Sequence, residues 1–253
     1  MQSLRISSAI LLLSLAAACA TEDGDTCVSE RKLAVNGVGL NKLATNGLAA
    51  SELLRGGLAD APLTGAALSA AITPEIAADT LALDILDYTV SCALGPDQQV
   101  AVALPDGGTR TFAGGLGLAP AWGRDDGRCD QECRGWVSAC LVARTNFLGE
   151  SRQISLLGDN PALTPTAQES AEFEIEEASY YGDLFASPAV LYGCVADDHE
   201  APVRTCGGAQ EGCAITIVGS CDEVCDAAGC RGVHGEVFTQ AISVNLRDTA
   251  SCG

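Results

Sequence analysis

Cysteine sets the terms on which this chain can fold. Thirteen cysteines occur in 253 residues, against two tryptophans, five phenylalanines and four tyrosines. Large aromatic side chains supply much of an ordinary core, so a chain this poor in them needs another source of cohesion. Twelve of the cysteines lie beyond residue 26: Cys27, Cys92, Cys129, Cys133, Cys140, Cys194, Cys206, Cys213, Cys221, Cys225, Cys230 and Cys252. In an oxidising compartment this even set reads as disulfide candidates, each bridge adding about 2–4 kcal/mol by restricting the unfolded chain. The spacing does not say which cysteine pairs with which. Cys206, Cys213, Cys221, Cys225, Cys230 and His234 also form a dense cluster that zinc would suit. Their Cys-x3-Cys and Cys-x4-Cys gaps are not the paired Cys-x2-Cys of a zinc site, and exported thiolates oxidise readily. No metal and no cofactor is therefore expected.

The export that this reading requires is written at the start. Residues 1–18 carry one charge, Arg5, then an apolar core from Ile10 through Ala18. That core is shorter than the ~20 residues needed to span a bilayer and fits a cleaved signal peptide. Leu15-Ala16-Ala17-Ala18-Cys19 resembles a bacterial lipobox, with its leucine one step earlier than the usual pattern. The resemblance implies lipid attachment at Cys19, and Ala20 in the following position implies sorting to the outer membrane. A single acyl chain holds only marginally; the more heavily acylated cysteine of a lipoprotein would be a permanent anchor. The expected location is the cell envelope, lipid-anchored, or else a secreted or periplasmic product if an ordinary signal peptidase cuts near Ala18.

Residues 19–30 are short and acidic and read as a solvated tether; the Asp/Gly spacing does not match an EF-hand loop. Residues 31–72 then carry a five-residue beat: Leu33, Val38, Leu43, Leu48, Leu53, Leu58, Leu63 and Leu68. Each step of five turns a helical side chain by roughly 140°, so these residues would scatter around one helix. The pattern resembles the pentapeptide-repeat solenoid, with Asn36-Gly37 and Asn46-Gly47 as corners. The alternative is that the Ala- and Leu-rich stretch from Leu48 onward is simply helical.

Residues 73–253 form a cysteine-rich body for which antiparallel strands and two or so helices predict an α+β fold. Thr73 and Pro74 open a helix running to about Asp87, after which Tyr88–Cys92 looks extended. Gln98–Leu104 and Thr109–Phe112 flank a Pro-Asp-Gly-Gly turn and predict a hairpin. A second helix is expected over Cys129–Arg144, and a strand ending at Leu157. A loop covers Gly158–Gln168, and strands follow over Glu172–Glu176, Ala189–Cys194, Ala214–Val218 and Val237–Leu246. Gly127-Arg128-Cys129-Asp130-x-x-Cys133 is echoed by Gly219-Ser220-Cys221-Asp222-x-x-Cys225.

Several segments together carry a wider resemblance: the Asn-Gly pentads, Tyr88–Leu94, Gly117–Trp122, Cys129–Cys140, Tyr180–Phe185 and Gly219–Cys225. The chain is similar over nearly its whole mature length to cysteine-rich secreted lipoproteins of myxobacterial type. That resemblance brings no catalytic residues with it.

A net charge of −19 excludes a nucleic-acid partner, because phosphate binding needs a cationic face. No Gly-x-Ser-x-Gly elbow, His-Glu-x-x-His or P-loop is present, and only His199 and His234 supply imidazole. The best acidic cluster is Glu172, Glu174, Glu176, Glu177 and Asp183 beside Tyr180, Tyr181 and Phe185. On a strand, Glu172, Glu174 and Glu176 would share one face, and with Tyr180 and Tyr181 they are the candidate ligand-facing residues. The expected function is a non-enzymatic binding or structural surface module anchored in the envelope, its partners the membrane through the lipid and a glycan or envelope protein. The alternative is a carbohydrate-active or other hydrolase using paired carboxylates. Lipidation is checked by intact mass and detergent partitioning: the native protein carries an acyl mass at Cys19 and enters the detergent phase, and Cys19→Ser loses both.

Overall fold

The computed structural model describes Ser51, Leu54, residues 56–145 and 153–196, Thr205, and residues 213–247. The pentads at Leu33, Val38, Leu43, Leu48 and Leu53 lie outside these residues, as do Cys19, Cys27, Cys206, Cys252 and His199.

The last three pentad leucines are all core residues, yet each has a different backbone setting. Leu58 lies in a 3-10 turn (Leu58–Asp60), Leu63 in a connection, and Leu68 in helix α1 (Gly65–Ala71). Thr64 caps α1 by accepting the Ala67 N–H, leaving the apolar side of the helix free to pack. Helix α2 (Pro74–Ala78) starts as its sequence foretells, with Thr73 as cap and Pro74 at the first position.

The helix expected to run on to Asp87 is instead broken at Asp79. Its backbone is extended there, and its carboxylate accepts the Leu81 N–H, which starts helix α3 (Thr80–Ala93). Helix α3 then continues through Tyr88–Cys92, the segment expected to be extended. Tyr88, Thr89 and Val90 favour strands by local preference. Here Tyr88, Thr89, Val90 and Cys92 are all buried, and the Thr89 hydroxyl donates back to the Ile85 carbonyl at 2.7 Å. Packing of this face outweighs a propensity difference of well under about 1 kcal/mol per residue.

Strands β1 (Gln99–Ala103) and β2 (Thr109–Ala113) form the expected antiparallel hairpin. Val100, Val102 and Phe112 point into the core. Helix α1 lies so close to β1 that a Cβ on Gly65 would sit 2.1 Å from the Ala101 carbonyl oxygen. A 3-10 turn at Pro120–Gly123 brings in Trp122, whose indole N–H donates to the Ala61 carbonyl at 2.8 Å. Its ring meets Phe185 edge-on at 6.0 Å.

Helix α4 (Gln131–Ala143) is the central element. Asp130 caps it, and Cys133 together with every residue from Gly135 to Ala143 is buried. It packs against α3 and against a five-stranded sheet. Strand β3 (Ile154–Leu157) is one edge of that sheet. The stretch expected to be loop holds a 3-10 turn (Pro161–Leu163) capped by Asn160. Helix α5 (Ala167–Glu172), capped by Thr166, begins at its end and runs on to Glu172, the expected start of a strand. Strands β4 (Ile175–Asp183), β5 (Val190–Val195) and β6 (Thr216–Ser220) follow, and the single turn α6 (Cys221–Val224) comes after β6. Strands β7 (Cys225–Asp226), β8 (Gly229–Arg231) and β9 (Val237–Phe238) make a separate small sheet. Strand β10 (Ala241–Leu246) returns to the large one, between β3 and β4.

The large sheet has the order β3-β10-β4-β5-β6, antiparallel except for the parallel β5–β6 pair. The strand expected over Val237–Leu246 is thus two, β9 and β10, serving different sheets. Alternation divides the large sheet's residues: Ala178, Tyr180, Ile242 and Val244 join the main core with α4, while Tyr181 and Tyr192 join a second cluster under the small sheet. The fold is mixed α+β, with four bridges formed between described cysteines: Cys92–Cys140, Cys129–Cys133, Cys194–Cys221 and Cys225–Cys230.

These bridges are unequal. Cys92–Cys140 joins α3 to α4 across 48 residues, whereas Cys129–Cys133 spans four. Removing the first pair as a double Ala variant is expected to cost about 4 kcal/mol and the second about 2 kcal/mol, from the loop-closure entropy of each. Denaturant titration of the two double variants checks both the magnitudes and their order.

Candidate functional site

The richest constellation of side chains lies where the small sheet covers the second face of β4 and β5. Here four cysteines make two bridges side by side. Cys194, on β5 and fully buried, is bonded to Cys221 at the start of α6. Cys225 on β7 is bonded to Cys230, directly opposite it on β8. The Cys194 and Cys225 sulfurs are 3.7 Å apart. Ser220 caps α6 by accepting the Asp222 N–H, whereas Asp130 caps α4 by accepting the Cys133 N–H, so one echoing segment is capped from inside its Cys-Asp-x-x-Cys pattern and the other from the residue just before it. Their pairing differs: Cys129 and Cys133 bond to each other, whereas Cys221 and Cys225 bond outward.

Beside the sulfurs stand three aromatic rings, Tyr181, Tyr192 and Phe238, with centroids 5.7–5.9 Å apart. The Tyr181 hydroxyl donates to the Arg231 carbonyl at 2.9 Å, and the Tyr192 hydroxyl donates to the Glu236 carboxylate. Glu236 also accepts the His234 N–H at 2.9 Å. These bonds, that of Tyr192 foremost, hold the Glu236 carboxyl below its usual range. Arg231 forms an ion pair with Asp226 across the β7–β8 turn, and Asp226 accepts the Ala228 N–H at 2.8 Å. Gly229 permits that turn: its φ is +126°, and a Cβ there would lie 2.4 Å from the Phe238 carbonyl oxygen. The next turn, between β8 and β9, displays Val233 and exposed His234, with Val237 at the start of β9; both valines are more than half exposed.

The candidate ligand-facing residues named from the sequence are not brought together. Glu172 ends helix α5 rather than sharing a strand with Glu174 and Glu176, because Thr166 starts a helix that the polar run Gln168-Glu169 continues. Its carboxylate is paired with Arg247 at 3.1 Å and accepts from Gln168 at 2.7 Å. Glu174 and Glu176 are exposed, and Glu177 is buried. Tyr180 and Tyr181 have no exposed surface, so neither is a platform for a sugar. They point to opposite faces of the sheet, Tyr180 sharing a 2.7 Å hydrogen bond with the Thr205 hydroxyl. Asp183 holds Arg134 at 2.9 Å. Local sequence patterns do not reveal Tyr192, Phe238 and Glu236 as a unit, because the three come from β5, β9 and the turn between β8 and β9. The only sequence cue is the Gly232-Val233-His234-Gly235 turn between Cys230 and Phe238.

A second polar feature lies at the C-terminus of α4. The Arg144 guanidinium stacks 4.5 Å over the Tyr88 ring and donates to the Ser91 hydroxyl at 3.1 Å. Desolvation pushes its pKa down, opposed by Tyr88 and Asp87, while its place at a helix C-terminus favours the cation.

All nine described cysteines, Cys213 among them, are disulfide-bonded. Cys213, Cys221, Cys225 and Cys230 therefore present no thiolates to a metal, and no group of metal-holding side chains occurs among the described residues. No helix among the described residues is long and apolar enough to cross a membrane. Comparison with known proteins found no matching family model, no matching curated protein and no matching solved structure.

Burial, with the charges of Tyr192 and Glu236 next to it, pushes Tyr181 up to about 12 from an ordinary value of 10. The unfolded tyrosine releases its proton first, so the folded state is at full advantage below pH 10 and loses that advantage as pH rises toward 12. Ultraviolet titration of tyrosinate should show a step near pH 12 in wild type that Tyr181→Phe loses, while Tyr88 and Tyr192, which burial also raises, still titrate above their ordinary value.

Proposed function

We propose that this protein is an exported, lipid-anchored envelope lipoprotein whose disulfide-stapled body is a non-enzymatic binding or structural surface module. The observation that supports this reading best is the sulfur chemistry. Every described cysteine is bridged, a state that persists in an oxidising compartment and not in a reduced cytosol. The export signal and lipobox-like Leu15–Cys19 stretch fit that setting, and the anchor would leave the body free to present its loops.

The carboxylates support binding over hydrolysis. Glu172 is neutralised by Arg247, Asp183 by Arg134, Asp226 by Arg231, and Glu169 accepts from the Ser155 hydroxyl at 2.7 Å. Groups so engaged serve the fold, whereas hydrolysis of a glycosidic bond needs two carboxyls facing the bond from opposite sides.

The test is a screen of the oxidised protein against envelope glycans, scored for both retention and turnover. Retention of a glycan without release of reducing ends is the expected result. Release of reducing ends that an acid-to-amide substitution abolishes would establish the hydrolase instead.

A further inference from the structure

We infer that Cys194, Cys221, Cys225 and Cys230 form a thiol–disulfide exchange site that takes a dithiol reductant and responds by re-pairing rather than by simply opening. The two bridges are separate in sequence but adjacent in space, with 3.7 Å between the Cys194 and Cys225 sulfurs. That is van der Waals contact between the atoms that exchange would join. The four sulfurs also differ in access. Cys225 and Cys221 are partly exposed, whereas Cys194 and Cys230 are buried. Cys225 sits on β7, an edge of the small sheet, so the sulfur open to attack from outside is also the one touching the second bridge.

The chemistry follows from that order. A thiolate of the dithiol attacks the Cys225 sulfur, the Cys225–Cys230 bond breaks, and Cys230 leaves as a thiolate that takes a proton. The second thiol of the dithiol resolves the mixed disulfide, so the reductant is oxidised to its disulfide and Cys225 is released as a thiolate. Cys225 then attacks the Cys194 sulfur, the Cys194–Cys221 bond breaks, and Cys221 leaves and is protonated. Two electrons have entered from the dithiol. The protein retains one bridge, Cys194–Cys225, and two thiols, Cys221 and Cys230. The last step alone needs no oxidant or reductant, because it exchanges one disulfide for another.

The structural consequence is specific. In the oxidised form β5 is tied to α6, and β7 to β8. After re-pairing β5 is tied to β7, while α6 and β8 lose their bonds. The turn that follows β8, carrying Val233 and His234 ahead of Val237 on β9, is then held without a disulfide, by the β8–β9 pairing, the Tyr181–Arg231 and Tyr192–Glu236 hydrogen bonds and the Arg231–Asp226 ion pair.

Two experiments on the full-length chain test this. In Cys230→Ser, Cys225 has no partner and the exchange can run without any reductant. Acid quenching, alkylation and non-reducing peptide mapping should find the Cys194–Cys225 linkage with the single alkyl group on Cys221. An intact Cys194–Cys221 linkage with the alkyl group on Cys225 overturns the inference. If that variant does not fold, wild type treated with one equivalent of dithiothreitol serves the same purpose. The expected product is Cys194–Cys225 with Cys221 and Cys230 alkylated. Alkylation of Cys225 and Cys230 beside an unchanged Cys194–Cys221, or reduction of Cys92–Cys140 ahead of both, contradicts it.

Discussion

The bond between Cys92 and Cys140 ties the helical layer to the helix on which the five-stranded sheet is built. Both sulfurs are fully buried, and the bridge sits where α3 and α4 cross. Around it, weaker contacts fix orientation: Arg144 stacks on Tyr88 and reaches Ser91, and Gly115 lies so close to Ser91 that a Cβ would meet its carbonyl oxygen at 2.8 Å. With α4 held, its far side can order the sheet. The Ser138 hydroxyl accepts the Leu184 N–H at 2.9 Å, and Arg134 grips Asp183. An aromatic-poor chain thus places its few large rings at junctions, such as Trp122 against Phe185, and uses covalent bonds where a larger core would use area.

The second layer of the architecture repeats this logic on a smaller scale. The β7–β9 sheet has only two or three residues per strand, too few to stand alone in water. It persists because the Cys194–Cys221 bridge ties β5 to α6 just ahead of β7, the Cys225–Cys230 bridge closes β7 on β8, and the Phe238 ring packs on Tyr181 of β4 and Tyr192 of β5. The same crowding of sulfur that stabilises it brings two disulfides into contact, so a structural device and a reactive one coincide.

The sequence shows its structure locally wherever chemistry acts over a few residues. The Pro-Asp-Gly-Gly turn gave its hairpin, Asp130 its helix, and Thr73-Pro74 its helix start. Fold and local pattern part where burial overrides propensity or where a capping side chain interrupts an apolar spacing. Tyr88-Thr89-Val90 reads as strand until its buried face is seen, and Asp79 breaks a helix that apolar spacing alone would continue. Thr166 opens a helix that carries Glu172 away from Glu174 and Glu176, dissolving the shared acidic face. The candidate site was largely hidden because it is tertiary. Twelve cysteines leave pairing undetermined, and Tyr181, Tyr192 and Phe238 meet only after β9 and β10 part company.

The oxidised state of the sulfurs in the native molecule is the property on which export, stapling and exchange all depend. Protein taken from its own cells, denatured without reductant and alkylated, should show no alkyl group on any cysteine beyond Cys19, and should gain one on each only after reduction. Several alkylated cysteines before reduction, among them those at positions 92, 140, 194 or 225, would contradict it.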